Sequence, residues 1–592
     1  MTALASGRPS TGAAAANESS LPGRVAATIA AAKAAPIAAA SAAPFGTGLI
    51  ADGADAPFSP VRRATLDTRD AFPDAECAVL DASGVAAAYV PAALGGADGG
   101  LPLLVDTLRT VSGEDLTVAV AHVKTFLGGV SVWVSGHPDQ QQHLAKLILD
   151  GAVVSWGLTE RERGSDLLSG QLSATPNPGG GWRLDGEKWL INNATRARLI
   201  CVLARTSPAG GPRGFSVFLV DKHSLSPGTW RCLPAEPTHG IRGADISGIA
   251  FAGAEVAADA LIGPVGSGIE TVLLGLQLTR IACVSLSLGA GDHALRLALE
   301  LAGHLELHGT PQLRLPHVRR ALGRAGASLA LAETAATMAA RCAHALPGEA
   351  SVVSSIAKAC VPILIQEMIA ELADILGASA FRTDGPDHGA FEKLERDHRI
   401  VPIFDGSTPV CRNALFNQFP TLVDAHRAGR VADAGLSIAA DPAAPLPDLD
   451  TAALSLVSRT GCSVVQALPG AVQRLAARAG THGGAAARML GLAQRLSSLT
   501  DEVTTRMAGI RPSARSVPAE AFALARRYEL CFAGAAAIHR WLAQPTASTG
   551  GLRLEAALGR AIQLLDPGQA EPADVLAADL LTAPVAAGAG AR

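Results

Sequence analysis

Val153–Asp166 reads V-V-S-W-G-L-T-E-R-E-R-G-S-D, and the character of the chain changes there. Before Gly151, apolar residues recur at helical spacing. Val153–Leu158 is instead a largely apolar run, followed by the hydroxyl of Thr159 and a small turn at Gly164-Ser165. That pattern predicts a buried strand opening into a loop. Such a loop offers backbone N–H groups and hydroxyls to a planar, electron-poor ligand or a phosphate. Ser, Thr and Gly follow many strands, so the loop gains meaning only from its surroundings.

N-terminal to it, residues 61–152 read as a helical unit. The spacing predicts helices over Pro73–Ser83, Leu101–Val111, Thr117–Ser135 and Asp139–Leu149, with a breaker at Gly136-His137-Pro138. C-terminal to it, Trp182-Arg183-Leu184 followed by Asp185-Gly186 predicts a hairpin, with Lys188–Ile191 as the return strand. Leu199–Ala204, Gly214–Val220 and Ile249–Phe251 are further strands, so 153–264 reads as an all-β unit. Helical spacing resumes at Gly268, with expected helices Ile269–Gly289, Gly291–His308, Leu315–Leu346, Val352–Leu376 and Phe391–His398 in a bundle over 265–422. A linker over 423–450, rich in Pro, Asp and Ala at Asp441–Asp450, leads to a helical extension over 451–592. There Thr451–Ala477, Ala485–Met507, Pro518–Leu542 and Leu552–Leu565 carry helical periodicity, and Glu520, Arg526, Arg527, Glu529 and His539 read as one solvated helix face. The fold class is α+β: helices, a β unit, a bundle and an extra helical unit. Residues 583–592 read as a flexible tail.

Composition bounds the function. Hydrophobic residues are 48% of the 592, charged residues 17% and aromatics 4%, which predicts closely packed helices rich in Ala and Gly. The net charge of −4 with both signs dispersed excludes a basic nucleic-acid face. Nine scattered cysteines, none in a C-x-x-C pair or at metal-ligand spacing, read as core residues of a reducing compartment, with a cytoplasmic location expected and no metal. Every long apolar run carries charges, so no transmembrane segment is expected. Residues 1–60 are rich in Ala, Ser, Pro and Gly; a disordered leader is expected rather than a targeting peptide, because Pro22, Pro36 and Pro44 interrupt it.

The second informative stretch is Ile400–Arg412, I-V-P-I-F-D-G-S-T-P-V-C-R. An apolar run delivers one carboxylate, Asp405, and breaks at Gly406. Alone, such an Asp is most often a turn or N-cap residue. It follows, however, the T-E-x-x-x-G-S-D loop, a G-E-K segment and a G-I-R-G-A-D loop, in that order along the chain.

This ordered set resembles the acyl-CoA dehydrogenase family over about residues 70–420. The family's T-E-P-G-A-G-S-D appears as Thr159–Asp166, its G-x-K-x-x-I-T-N strand as Gly186–Asn193, its G-x-R loop as Gly240–Ala244, its helix arginine at Arg280 and its Y-E-G-T base motif as Phe404–Ser407. The resemblance implies a non-covalent FAD between the β unit and the bundle. Leu158, Thr159, Gly164, Ser165, Leu190, Ile191, Asn192, Gly377 and Ser407 would contact it. It implies Asp405 as the base that takes the pro-R α-proton of an acyl-CoA or acyl-carrier-protein thioester while the β-hydrogen leaves as hydride to flavin N5. Ile400, Val401, Ile403 and Phe404 are expected to give that base apolar surroundings, which would raise its pKa. Ser165, Arg280 and Gly406 would face the substrate, Arg280 toward its pantetheine or nucleotide end. An electron acceptor such as electron-transfer flavoprotein would follow.

The chain departs from the family in several places. The base is Asp405 rather than Glu; the residue before Arg280 is Thr279, not the Glu some members use; Arg161-Glu162-Arg163 replaces Pro-Gly-Ala; Asn192 replaces a threonine. Leu305–Gly309 lacks the arginine that grips the FAD diphosphate of a neighbouring subunit, and Asp374 stands for a glutamine. The extension is similar to that of very-long-chain members, which implies a homodimer. The departures also fit a flavin monooxygenase-like relative or a relative that has lost flavin. Fatty-acid metabolism and specialised-metabolite assembly both fit, with the departures leaning to the latter.

Overall fold

In the computed structural model, residues 55–568 are described, apart from 386, 483, 513–516 and 544–549. The expected leader up to residue 54 and the tail after 568 lie outside the described residues. Among the described residues five helices come first: α1 (Pro60–Arg69), α2 (Asp74–Ala82), α3 (Gly100–Ser112), α4 (Leu116–Ser135) and α5 (Pro138–Leu149). Helix α4 starts where Asp115 accepts hydrogen bonds from the N–H groups of Thr117 and Val118, and it is buried along most of its length.

The β unit is one eight-stranded sheet: β1 (Val154–Gly157), β2 (Ser173–Pro176), β3 (Trp182–Asn192), β4 (Leu199–Arg205), β5 (Phe215–Asp221), β6 (Trp230–Leu233), β7 (Ile246–Val256) and β8 (Leu261–Ile262). Its order is β6-β7-β3-β2-β4-β5-β8, with β1 parallel to β4. One face joins a hydrophobic core continuous with the helices, and the other encloses its own cluster around Leu184, Ile200, Phe218 and Ile249. The expected hairpin at Asp185-Gly186 is absent. Trp182–Asn192 is a single strand that pairs with β7, and the turn-like residues mark a register shift between Leu184 and Asp185.

The bundle follows: α6 (Gly268–His304), a short hairpin of β9 (Glu306–Leu307) and β10 (Thr310–Pro311), α7 (Pro316–Ala345), α8 (Ala350–Leu376), α9 (Ala378–Phe381), α10 (Ala390–His398) and α11 (Thr408–Phe416). The expected linker over 423–450 is partly helical instead, with the end of α12 (Phe419–Arg427) and all of α13 (Asp433–Ala440) inside it. The break expected at Gly289–Gly291 is not there, and α6 runs through. Gly289 serves close packing instead: a Cβ there would fall 2.0 Å from Ser112 Oγ and 2.4 Å from the Arg109 carbonyl on α3. The extension contains α14 (Ser463–Gln466), α15 (Leu468–His482), α16 (Gly484–Ala508), α17 (Ala519–Ala543) and α18 (Gly550–Leu565). Thr451–Cys462, expected to be helical, holds only a short 3-10 turn at Thr451–Ala453.

The expected solvated face of α17 is corrected in part: the Glu520 and Arg526 side chains are 52% and 43% exposed, but the rest of that face is not. Glu529 and His539 are 1% and 3% exposed, because α17 packs among α7, α8, α11, α16 and α18 at once. Glu529 Oε1 and Oε2 accept from Arg412 Nε and Nη2 at 2.9 and 3.0 Å, and His539 Nε2 bonds the Val464 carbonyl at 2.9 Å. Arg560 reaches Ser328 and Glu371 on the bundle. The extension thus covers the flank of the bundle. Three helices, α4, α6 and the one ending at Leu376, are long and apolar enough to cross a membrane by composition, and 83–89% of their apolar windows is buried within the protein.

Candidate active site

The segment after α10 is a tight loop. The N–H groups of Ile403 and Phe404 donate to the Ile400 carbonyl, and Thr408 N–H donates to Pro402 O at 3.0 Å. Asp405 sits in the left-handed region at φ 51°, followed by Gly406 at φ 96°. The helix cap is not Asp405 but Ser407, whose Oγ accepts from Val410 N–H at the start of α11. Asp405 is therefore the turn residue itself, held half-buried at the apex.

Two long helices support this apex. Arg280 and Cys283, three residues apart on α6, face it together, as do Ser355 and Lys358 on α8. Cys283 Sγ donates to Asp405 Oδ2 at 3.3 Å. Burial, then the Asp405 carboxylate, pushes the Cys283 thiol well above its ordinary pKa, so it stays protonated and donating. Arg280 is 6% exposed; its Nη1 donates to Ser355 Oγ at 3.3 Å and its Nε has no partner. A Cβ on Gly406 would fall 2.9 Å from that Nε, so the guanidinium lies directly beneath the loop. Thr279 is fully buried and its hydroxyl turns back to the Leu276 carbonyl, so it offers no base. The expected apolar sleeve is only partial: Val401 is buried and Phe404 half-buried, but Ile403 is 61% exposed. An apolar run with a turn at its end cannot direct every side chain inward.

Lys358 and Cys283 escaped the sequence reading. Lys358 stands alone in S-V-V-S-S-I-A-K-A-C-V-P-I-L-I, and a lone cation in the middle of an apolar helix is a signal for a specific partner. Cys283 carried no signal beyond its place three residues after Arg280.

The family model for the acyl-CoA dehydrogenase middle domain matches residues 155–254, and that for the acyl-CoA dehydrogenase C-terminal domain matches 266–418. Residues 155–254 and 266–418 are thus the middle and C-terminal domains of an acyl-CoA dehydrogenase family member. It is 26% identical over 350 residues to a probable acyl-CoA dehydrogenase, fadE25, of Mycobacterium leprae, covering 59% of this chain and 88% of that one. Butyryl-CoA dehydrogenase from Megasphaera elsdenii superposes with a TM-score of 0.54 at 23% identity, over 59% of this chain and 90% of that one. The prolyl acyl carrier protein oxidase AnaB superposes with a TM-score of 0.55 at 18% identity, over 66% and 96%.

The family implies a flavin, and the residues here fit one. The strand β1 loop and the end of β3 meet where the Trp189 N–H donates to the Thr159 carbonyl at 2.9 Å. Along this junction Leu158 and Thr159 are half-buried, Gly164 and Ser165 are exposed, and Leu190 is 39% exposed at φ 53°. An exposed leucine at a left-handed bulge inside β3 is a costly arrangement, and a planar apolar partner would cover its side chain. Beside it Asn192 donates to the Val120 carbonyl while its Oδ1 stays unpartnered, and the Trp156 indole N–H is likewise without a partner. Beneath, Glu160 pins the loop, accepting from Lys188 Nζ at 2.7 Å and from the N–H groups of Gln171 and Leu172. Burial alone would raise Glu160; Lys188 and those N–H groups outweigh it and hold it ionised. Ile191 is buried and packs in the sheet core rather than in the shelf.

Not every expected residue joins this place. Gly377 lies at the exposed C-terminus of α8, 19 residues from Lys358, which is about 28 Å along the helix. Ser407 is committed to capping α11. Among the described residues no group of His, Cys, Asp and Glu could hold a metal ion.

Proposed function

We propose that this protein is an FAD-dependent dehydrogenase that forms an α,β-double bond in an acyl thioester. The observation that carries the reading is Asp405: a half-buried carboxylate at the apex of a left-handed turn, with the guanidinium of Arg280 under the loop and a thiol on one of its two oxygens. With Oδ2 held by Cys283, Oδ1 is the oxygen that takes the α-proton. Thr159, Ser165, Leu190 and Asn192 would hold the flavin ring. FAD, when bound, supplies the acceptor for the β-hydride. Likeness to a prolyl acyl carrier protein oxidase supports a carrier-protein thioester alongside a coenzyme A one. Electron-transfer flavoprotein is the acceptor class we propose, and a homodimer the assembly, because the extension already covers the flank of the bundle.

A positioned base contributes about 10²–10⁴ in rate, so Asp405→Asn should lose that much while keeping its flavin. The test is the flavin spectrum of the purified protein before and after a panel of acyl thioesters with an artificial acceptor. Bleaching by a thioester in the wild type and none in Asp405→Asn is expected. A flavin that no thioester bleaches would refute the reading.

A further inference from the structure

The deepest charge near the apex belongs to a residue that the reaction does not itself require. Lys358 lies in the middle of α8 with no exposed surface. Its Nζ donates to the Val401 carbonyl at 2.8 Å and to the Gly406 carbonyl at 3.3 Å, and sits 5.4 Å from the centre of the Phe404 ring. Among the described residues no carboxylate bonds it directly. Burial lowers its pKa, with Cys411, Cys283 and Asp405 acting in the opposite sense. A bare ammonium in an apolar interior is among the costliest groups a fold can keep, so it marks a geometry that the fold needs. That geometry is plain: one ammonium ties the two ends of the loop, Val401 and Gly406, and the residues between them are those that carry Asp405.

We propose that Lys358 is the positioning residue of the base: it clamps the Val401–Gly406 loop so that the short side chain of Asp405 is presented at one fixed place. This rests on the reading of Asp405 as the base. An aspartate reaches one methylene less far than a glutamate, so its loop has to be exact where a glutamate's need not be. The charged and titratable groups facing the apex are Arg280 and Cys283 from α6, Lys358 from α8 and Cys411 from α11, with Lys124 on α4 close enough to act on Cys283 and His398 at the end of α10 close enough to feel Lys358. The Cys283 thiol is neutral, so Lys358 and Arg280 supply the positive potential.

The experiment compares wild type with Lys358→Met, which keeps the stem and removes the charge, and with Lys358→Arg, which restores the charge. Lys358→Gln replaces the methionine variant if that one does not accumulate. Each is loaded with FAD and read three ways: flavin content, pH profile of flavin reduction by a thioester, and hydrogen exchange of the 400–411 segment. The expected result is retained flavin, a fall of about 10–100-fold in kcat with little change in KM, and an acid limb moved up by about one pH unit, because a lost cation raises a carboxylate's pKa. Lys358→Arg should return the limb but not the full rate. Exchange in 400–411 should rise at least about tenfold, with the 268–280 segment unchanged. A methionine variant with unaltered limb, rate and exchange overturns the clamp. If wild-type flavin is not bleached by any thioester, the dehydrogenase reading fails by itself, and exchange in 400–411 still decides whether Lys358 holds the loop.

Discussion

The contact between Arg412 and Glu529 makes a sharp forecast about the extension. Arg412 lies on α11, directly after the base loop, and Glu529 in the middle of α17. Their side chains are 15% and 1% exposed, joined by two parallel bonds of 2.9 and 3.0 Å. Burial lifts the Glu529 carboxyl above its usual range and Arg412 only partly reverses this. The pair therefore adds little net stability but is costly to break. Removing one partner of a buried pair costs about 3–5 kcal/mol, whereas replacing both by apolar residues of similar volume is close to neutral. Arg412→Met should thus open α17 by about 3 kcal/mol at pH 7, and the double variant Arg412→Met/Glu529→Leu should recover most of it, a coupling of at least about 2 kcal/mol. The single-variant defect should shrink as pH falls toward 5. A buried carboxyl with a raised pKa opposes folding above its unfolded value, and the penalty disappears once it is protonated. A chain of several units does not unfold in one step. The suitable assay is therefore native-state hydrogen exchange of the 519–543 segment across the four-member cycle. Two single variants whose costs simply add in the double would refute the argument, and with it the view that α17 is locked to α11 through charge.

Three further outcomes follow from the same geometry. Gly406→Ala should keep its flavin but lose about 100-fold in turnover, since a Cβ at φ 96° both strains the turn and meets Arg280 at 2.9 Å; steady-state kinetics beside an absorbance spectrum checks this. Asp405→Glu should be slower than wild type by about tenfold, because the added methylene drives the carboxylate past the Cys283 thiol; a faster variant would mean that the aspartate falls short of the substrate. His398 and His539 are buried neutral, their pKa values pulled down to about 3 and about 4 by burial. Their unfolded forms take protons below about pH 6.5 while the folded ones do not. Stability is therefore lost as pH falls through that value, about 2 kcal/mol each by pH 5. His398→Asn, which keeps a bonding group for Gln366 or Ser287, should flatten the pH dependence of unfolding rates between pH 5 and 7.

The order of the units was legible because periodicity is a property of long stretches, and α4, α7 and α8 each run for many turns with an apolar face. What misled was local. Asp185-Gly186 has the composition of a hairpin turn, yet partners on both sides of β3 keep it extended, and only the sheet decides that. Gly289 and Gly291 look like breaks, but Gly289 is the price of bringing α3 and α6 backbone to backbone, and Gly291 leaves room for the Leu329 and Ile365 side chains of α7 and α8. At the site, Asp405 could be found because its motif is contiguous, while Lys358 is 47 residues away and enters only through the packing of α8 under the loop. Glu529 shows the same limit more strongly: at 124 residues from Asp405 its charge pattern suits an exposed helix, and nothing in that pattern distinguishes a carboxylate facing water from one facing Arg412. Charge that serves position rather than reaction leaves its trace in three dimensions. In this fold both such charges, Lys358 and Glu529, converge on the short stretch between Val401 and Arg412, so the exactness of one turn is shared between the bundle and the extension.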